Sequence, residues 1–175
     1  MKIKILITGP PRSGKSTLIV KLINYFTKRE FSIYGFLTPE VKEDNHRIGF
    51  DIEDICTKER LTLARINKSN SDYRLGKYSV SINGLERIIS NIENIRFAEK
   101  YILLIDEIGK MELFSEKFQD FVLHMFSSSL TIVATIGLTV KHPIKDHLLR
   151  MPDVKLFTLD HKNFQNVFQE IISLI

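Results

Sequence analysis

The sequence predicts a single α/β domain built in three layers, with a mainly parallel central sheet and an antiparallel insertion; two observations carry this reading. Short runs that are apolar at nearly every position alternate with longer stretches whose apolar residues recur at helical spacing. That is the pattern of a sheet buried on both faces by helices. Between residues 40 and 82 the alternation stops, and extended segments without a helical period replace it. At 175 residues, one domain spanning 1–175 is expected, with enough chain to bury a proper core.

The elements follow in order. Residues 3–7 form an apolar strand that runs straight into a glycine-bearing turn, and the helix after it carries Leu18, Ile19, Leu22, Ile23 and Phe26 on one face. A second strand, Ser32–Leu37, ends at Thr38-Pro39. In the insertion, polar Glu43-Asp44-Asn45-His46 separates two extended segments, the second over 48–55. Residues 61–66 and 77–82 read as further strands, so a hairpin or small meander is expected beside the parallel core. Leu85, Ile88, Ile89, Ile92 and Ile95 mark a helix with Asn83 as its N-cap. Residues 101–105 are apolar throughout, as a central parallel strand should be. Phe114, Phe118, Phe121, Val122 and Met125 mark the next helix, starting near Ser115. Strands over 130–134 and Val154–Thr158 follow, then a closing helix whose face is Phe164, Val167, Phe168, Ile171 and Ile172.

Composition narrows the functional classes. No apolar run approaches the ~20 residues of a membrane span, and the chain enters a strand at once without a signal-peptide apolar stretch, so a cytoplasmic protein is expected. Cys56 is the only cysteine and reads as a partly buried filler. His46, His124, His142, His147 and His161 show no ligand spacing, so no zinc site is expected. A net charge of +4 suits a polyanionic ligand. Nucleic acid is disfavoured, because the basic residues are spread out and lack aromatic interleaving. No strand-edge pattern demands pairing between chains, and a monomer is expected.

Gly9-Pro10-Pro11-Arg12-Ser13-Gly14-Lys15-Ser16 is a full G-x₄-G-K-[ST] string placed between a strand and a helix, the context a phosphate-binding loop requires. Successive backbone N–H groups must wrap a phosphate, so glycine is needed where a side chain would block the approach. The following helix turns its positive end to the anion. Lys15 then reaches the β- and γ-phosphates, Ser16 can ligate Mg²⁺, and Thr17 lies within reach of the α-phosphate. A nucleoside triphosphate with Mg²⁺ is the implied ligand.

A second motif closes the apolar strand at 101–105. Asp106 emerges at its carboxyl end, where open α/β sheets bind ligands, and is positioned to hold Mg²⁺. Glu107, the next residue, can orient and polarise an attacking water. P-loop proteins of the class with an additional central strand and a catalytic glutamate look like this. In that class an extra strand separates the loop strand from the acidic strand; here it would be 130–134, with Thr135 facing the γ-phosphate. Asn67-Lys68-Ser69-Asn70 lacks the aspartate of a guanine-reading element and is rejected as one. Lys110 and Arg47 are the candidate cations for transition-state charge.

These residues match a family. The chain resembles the small P-loop nucleoside-triphosphatases of thermophilic bacteria and archaea, which include a human cancer-related member. The resemblance rests on the loop, on Gly35-Phe36-Leu37-Thr38-Pro39-Glu40-Val41, on Arg47-Ile48-Gly49-Phe50-Asp51-Ile52, on Gly76-Lys77-Tyr78 and on the string from Ile105 to Leu113. It implies a RecA-like core and slow, Mg²⁺-dependent hydrolysis of ATP, GTP, CTP and UTP to diphosphate and phosphate. It also implies the water-activating role for Glu107, with Thr38, Glu40, Arg47 and Lys110 in or beside the site. The chain departs from the family pattern at Lys42 and Phe164, where arginine is usual, and at Arg12, where a small residue is usual. A nucleotide or small-molecule kinase and a nucleotide-dependent switch are the alternatives that the loop alone leaves open.

Overall fold

A computed structural model describes residues 3–66, 71 and 73–175. The rejected guanine-type string at 67–70 lies outside the described residues. In chain order the elements are β1 (Lys4–Thr8), α1 (Lys15–Thr27), β2 (Ser32–Leu37), β3 (Glu40–Glu43), β4 (His46–Asp54), β5 (Arg60–Ile66), β6 (Tyr73–Leu75), β7 (Tyr78–Val80), α2 (Ile82–Glu93) and β8 (Tyr101–Ile108). A 3₁₀ turn (Glu112–Phe114), α3 (Glu116–Ser127), β9 (Ile132–Ile136), α4 (Pro143–Arg150), β10 (Val154–Thr158) and α5 (Phe164–Leu174) complete the chain.

The strands form one open ten-stranded sheet in the order β10-β1-β9-β8-β2-β4-β5-β7-β6, with β3 paired to β4. Strands β10, β1, β9, β8 and β2 run parallel. The insertion continues the same sheet antiparallel, joined where β2 pairs with β4 through Phe36↔Asp54 and Leu37↔Glu53. Strand β9 lies between β1 and β8, as the additional-strand reading requires.

Period-two alternation sorts the core into two layers. Leu6 of β1 and Leu103 and Ile105 of β8 pack with the buried faces of α2, α3 and α4. Ile5 and Ile7 of β1, with Ile102 and Leu104 of β8, pack with α1 and α5 on the other side. The three-layer expectation holds. Among the described residues, no helix is long and apolar enough to cross a membrane.

Four local expectations are corrected. Helix α2 starts at Ile82 with Ser81 as its N-cap, ahead of Asn83, and Ile95 falls beyond its end. Helix α4 was not anticipated: His142 caps it through its ring and Pro143 opens it, a start without the usual hydroxyl or carboxylate. Cys56 is exposed. The acidic strand runs to Ile108, so Asp106 and Glu107 lie inside β8 and not past its tip. By contrast, Ser115 caps α3 as expected, its side chain accepting from the Phe118 N–H.

Gly35 marks the tightest packing between β2 and β8. It has φ +115°, and a Cβ there would lie 1.8 Å from the Leu104 carbonyl oxygen. Gly76 has φ +57° with open space around it. Gly35→Ala is therefore expected to lower the unfolding free energy by at least ~3 kcal/mol. Gly76→Ala should cost about 1–2 kcal/mol, the left-handed backbone term alone. Urea unfolding midpoints of the two variants check this ordering.

Candidate active site

The loop after β1 is shaped by steric need at both glycines. A Cβ on Gly9 would fall 2.4 Å from the Leu159 carbonyl oxygen and 2.6 Å from Ser13 Oγ. Gly14 is the N-cap of α1 with φ +95°, a left-handed conformation. No side chain caps the helix and no acidic residue sits in its first turn. Its leading N–H groups and positive end are thus left for an anion. Pro10, Pro11, Arg12, Ser16 and Thr17 are exposed around this opening, and Arg12 is itself left-handed at φ +65°. Lys15 Nζ donates to the carbonyl oxygens of Gly9 at 3.0 Å and Pro10 at 3.4 Å, so the side chain folds back along the loop. Ser13 Oγ is buried without a hydrogen-bond partner among the described residues.

The acid pair sits on an irregularity in β8. The β8–β9 register pairs Ile105 with Ala134 and Ile108 with Ile136, so Asp106 and Glu107 together stand opposite Thr135. Two residues facing one is a β-bulge, and bulges re-aim side chains. Here the bulge lets both carboxylates serve the same end of the sheet, which strict alternation would forbid. Thr135 is fully buried and its hydroxyl donates to Asp106 Oδ1 at 2.5 Å. Its polar group therefore acts on the acid, where the sequence had suggested an open phosphate contact. Thr38 Oγ1 donates to the Asp106 carbonyl oxygen at 3.0 Å, tying the end of β2 to the same point.

The electrostatics follow from burial. Asp106 is pushed above the ordinary carboxylate range by desolvation, while hydrogen bonds from Thr135 and Ser16 and the charge of Lys15 pull it back. Glu107 is raised by burial and then by the charge of Asp106, against Lys15. Ser16, Lys15, Asp106 and Glu107 are thus brought together as expected. The donors beside the loop are a hydroxyl and a carboxylate, hard oxygens of the kind Mg²⁺ takes. Among the described residues there is no cluster of three His, Cys, Asp or Glu able to hold a metal alone, so water and phosphate oxygens would complete the shell.

The two candidate cations differ in their surroundings. Arg47 on β4 donates from Nη1 to Glu40 Oε1 at 2.7 Å and from Nε to the Tyr78 hydroxyl at 3.0 Å. Lys42, the first departure from the family pattern, keeps an ion pair with Glu40 at 3.5 Å. Arg47 holds the Glu40 carboxyl below its usual range by this hydrogen bond. Lys110 is exposed and borders a cavity of about 590 Å³ walled by Leu75, Leu113, Phe114 and Val140, with Lys141 at its rim.

Two residues near the site were not given a place in it by sequence reasoning, although Phe164 stood out as a departure from the family pattern. Phe164, read as core, places its ring 3.4 Å from the position a Gly14 Cβ would take, against the loop. Glu112 is buried at the start of the 3₁₀ turn. The signal for it was the Ile105–Leu113 string, which carries a third acid six residues beyond the first.

An anion-binding loop on β1, an acid pair on β8 and a strand between them define a P-loop NTPase core. A family model described as NTPase matches residues 4–172. Nucleoside-triphosphatase THEP1 of Thermotoga maritima is 40% identical over 173 residues, covering 98% of this chain and 95% of that protein. Its namesake from Archaeoglobus fulgidus is 31% identical, with 98% of each chain covered. The crystal structure of THEP1 from Aquifex aeolicus superposes with a TM-score of 0.82 at 31% identity, covering 98% of both chains. The solution structure of a human cancer-related nucleoside triphosphatase superposes at 0.80 with 29% identity, covering 98% of this chain and 96% of that one. The chain belongs to this NTPase family.

Glu112 carries a stability prediction. Its carboxyl is pushed up to about 8 by burial and then by the charge of Glu107. The unfolded chain releases that proton near 4.5, so the folded state binds more protons between the two values. Stability should therefore fall as pH rises from about 4.5 to about 8 and level off above. Glu112→Gln removes this dependence and should melt higher than the native chain at pH 8, as thermal unfolding across that range would show.

Proposed function

We propose that this chain is a Mg²⁺-dependent nucleoside triphosphatase that slowly converts ATP, GTP, CTP and UTP to the diphosphate and phosphate. The observation that carries the proposal is the bulge in β8, which sets Asp106 toward Ser16 and places Glu107 beside it. The Gly9–Ser16 backbone and Lys15 bind the phosphates, with Thr17 at the α-phosphate; Arg12 sits exposed at the mouth. Ser16 and Asp106 would hold Mg²⁺, which would offset charge on the β- and γ-phosphate oxygens. Thr135 keeps Asp106 oriented through its hydrogen bond.

Glu107 accepts a proton from water as the water oxygen bonds to the γ-phosphorus. The bond from that phosphorus to the β-bridging oxygen breaks, and the diphosphate leaves. Burial raises Glu107 toward neutrality, which strengthens it as a base. Broad base use is supported by Phe164, an apolar ring beside the loop that has no hydrogen-bonding group with which to read a base. Slow turnover is supported by the state of the cations. Lys15 lies back on the loop carbonyls and Arg47 is engaged by Glu40 and Tyr78, so neither stands free for the γ-phosphate. P-loop enzymes without an added cation turn over at roughly 10⁻⁴ to 10⁻³ per second. Lys110, exposed and without a partner among the described residues, is assigned as the transition-state cation, with Arg47 as its reserve. A monomer fits the short outer strand β6, which offers only three residues at that edge.

Phosphate release from the four triphosphates with Mg²⁺ tests this reading. Release is expected from all four and should stop on chelation with EDTA. Glu107→Gln should lower it at least ~10-fold, the lower end for a lost general base, while nucleotide binding persists. Release that required an added nucleoside acceptor would identify a kinase instead; tight binding with no release would identify a switch. Lys110→Ala should reduce kcat more than Arg47→Ala does, and the reverse order would give the cationic role to Arg47.

A further inference from the structure

Glu112 is only 4% exposed, yet no ion pair among the described residues includes it. Its neighbourhood explains where it points. A Cβ on Gly109 would lie 2.5 Å from Glu112 Oε2 and 2.9 Å from Glu107 Oε1. The two carboxyl groups therefore converge on one small space, and a side chain at residue 109 would push them from it. The chain makes this approach by reversing after β8 into the 3₁₀ turn, where the Leu113 N–H bonds back to the Gly109 carbonyl oxygen at 3.1 Å.

The charges facing Glu112 are of its own sign. From β8 they are Glu107 and, more weakly, Asp106. From α2, Glu86 accepts from Ser115 Oγ at 2.7 Å, and Arg87 is turned to Glu59 at 2.8 Å. From α3, Lys117 is held by Ser90 and lies 3.9 Å from Glu93. Lys110, in the intervening loop, is exposed. Two carboxylates this close and this buried do not both ionise; one keeps its proton. Glu112, the deeper of the two and the one raised to about 8, is the one that keeps it.

We propose that Glu112 is a positioning residue for hydrolysis: a neutral carboxylic acid that holds the Glu107 carboxylate in its working orientation across Gly109. The proposal rests on the water-activating role given to Glu107 above. It accounts for a buried acid that neither pairs with a cation nor faces the loop. It also supplies a proton donor next to a base on which the charges of Asp106 and Lys15 also act. Above the pH at which Glu112 ionises, the donor becomes a second acceptor and the arrangement fails.

The test compares kcat and KM for ATP across pH 6–9.5 in the native chain, Glu112→Gln, Glu112→Leu and Glu107→Gln. The native kcat should fall through about pH 8. Glu112→Gln, which keeps a donor and cannot ionise, should retain kcat within about threefold at pH 7 and lose that alkaline fall. Glu112→Leu fills the space without a donor, and its kcat should drop at least ~10-fold with KM unchanged, the scale expected when a reacting group is misplaced. An unaltered alkaline fall in Glu112→Gln, or full kcat in Glu112→Leu, overturns the proposal. If Glu107→Gln itself keeps full activity, the assignment of Glu107 fails first. An infrared measurement stands independently of the folding of the Glu112 variants. The native chain should show a protonated-carboxyl band at pH 7 that is lost by pH 9 and shifts in Glu107→Gln; absence of that band, or a band indifferent to Glu107, also overturns the proposal.

Discussion

Strand β9 lies between the strand that launches the phosphate loop and the strand that carries the acids, and the geometry of the site depends on that interleaving. Neighbouring strands lie about 4.8 Å apart, so one intervening strand separates the loop from β8 by about 10 Å. That is room for a phosphoryl group and a water between them. Adjacent strands would bring the carboxylates against the phosphate oxygens and leave no place for the nucleophile. The bulge opposite Thr135 then divides labour within this space. Asp106 is drawn toward Ser16 and Thr135, and Glu107 is freed from their hydrogen bonds.

The same layout fixes the electrostatics. Three carboxyl groups gather at the end of β8, and the charge of Lys15 acts against the burial of Asp106 and Glu107. Burial raises all three acids, but each is answered differently. Asp106 is answered by hydroxyl donors, Glu107 by Lys15 across from it, and Glu112 by backbone N–H groups of its own turn and Gly109. Hydroxyl and N–H donors favour the ionised form locally, yet they add no positive charge.

Much of this was legible in the sequence because the signals are contiguous. The loop is one unbroken string, the acid pair ends one apolar run, and strands buried on both faces announce themselves without long-range information. Even the order β1–β9–β8 followed from the glutamate after Asp106, through the class that this pairing resembles. What was not legible depends on chain reversal or on weak local signals. Helix α4 buries only Ile144 and Leu148 and starts on a histidine ring, so neither its period nor its cap stood out. Phe164 lies at helical spacing with Val167 and Phe168, and nothing in that stripe distinguishes a ring turned to the loop from one turned inward. Glu112 stands between Met111 and Leu113 with nothing local to mark its surroundings; only the fold around Gly109 reveals its neighbour.

A polyanion must approach this cluster, and the count of ionised groups decides whether it can. A triphosphate brings several negative charges to a site whose fixed positive contribution is Lys15, the end of α1 and a bound cation. Two carboxylates are each useful there, one to hold the cation and one to take a proton. A third, buried and ionised, would add only repulsion, strengthened by the low local dielectric. Moving Glu112 to the surface would remove the charge but also the donor at Gly109. Replacing it with an apolar residue would leave Glu107 with only like charge and a distant lysine for company. A carboxyl kept neutral by its burial supplies the donor without the charge, so the desolvation that makes Glu112 costly to bury also makes it compatible with the substrate.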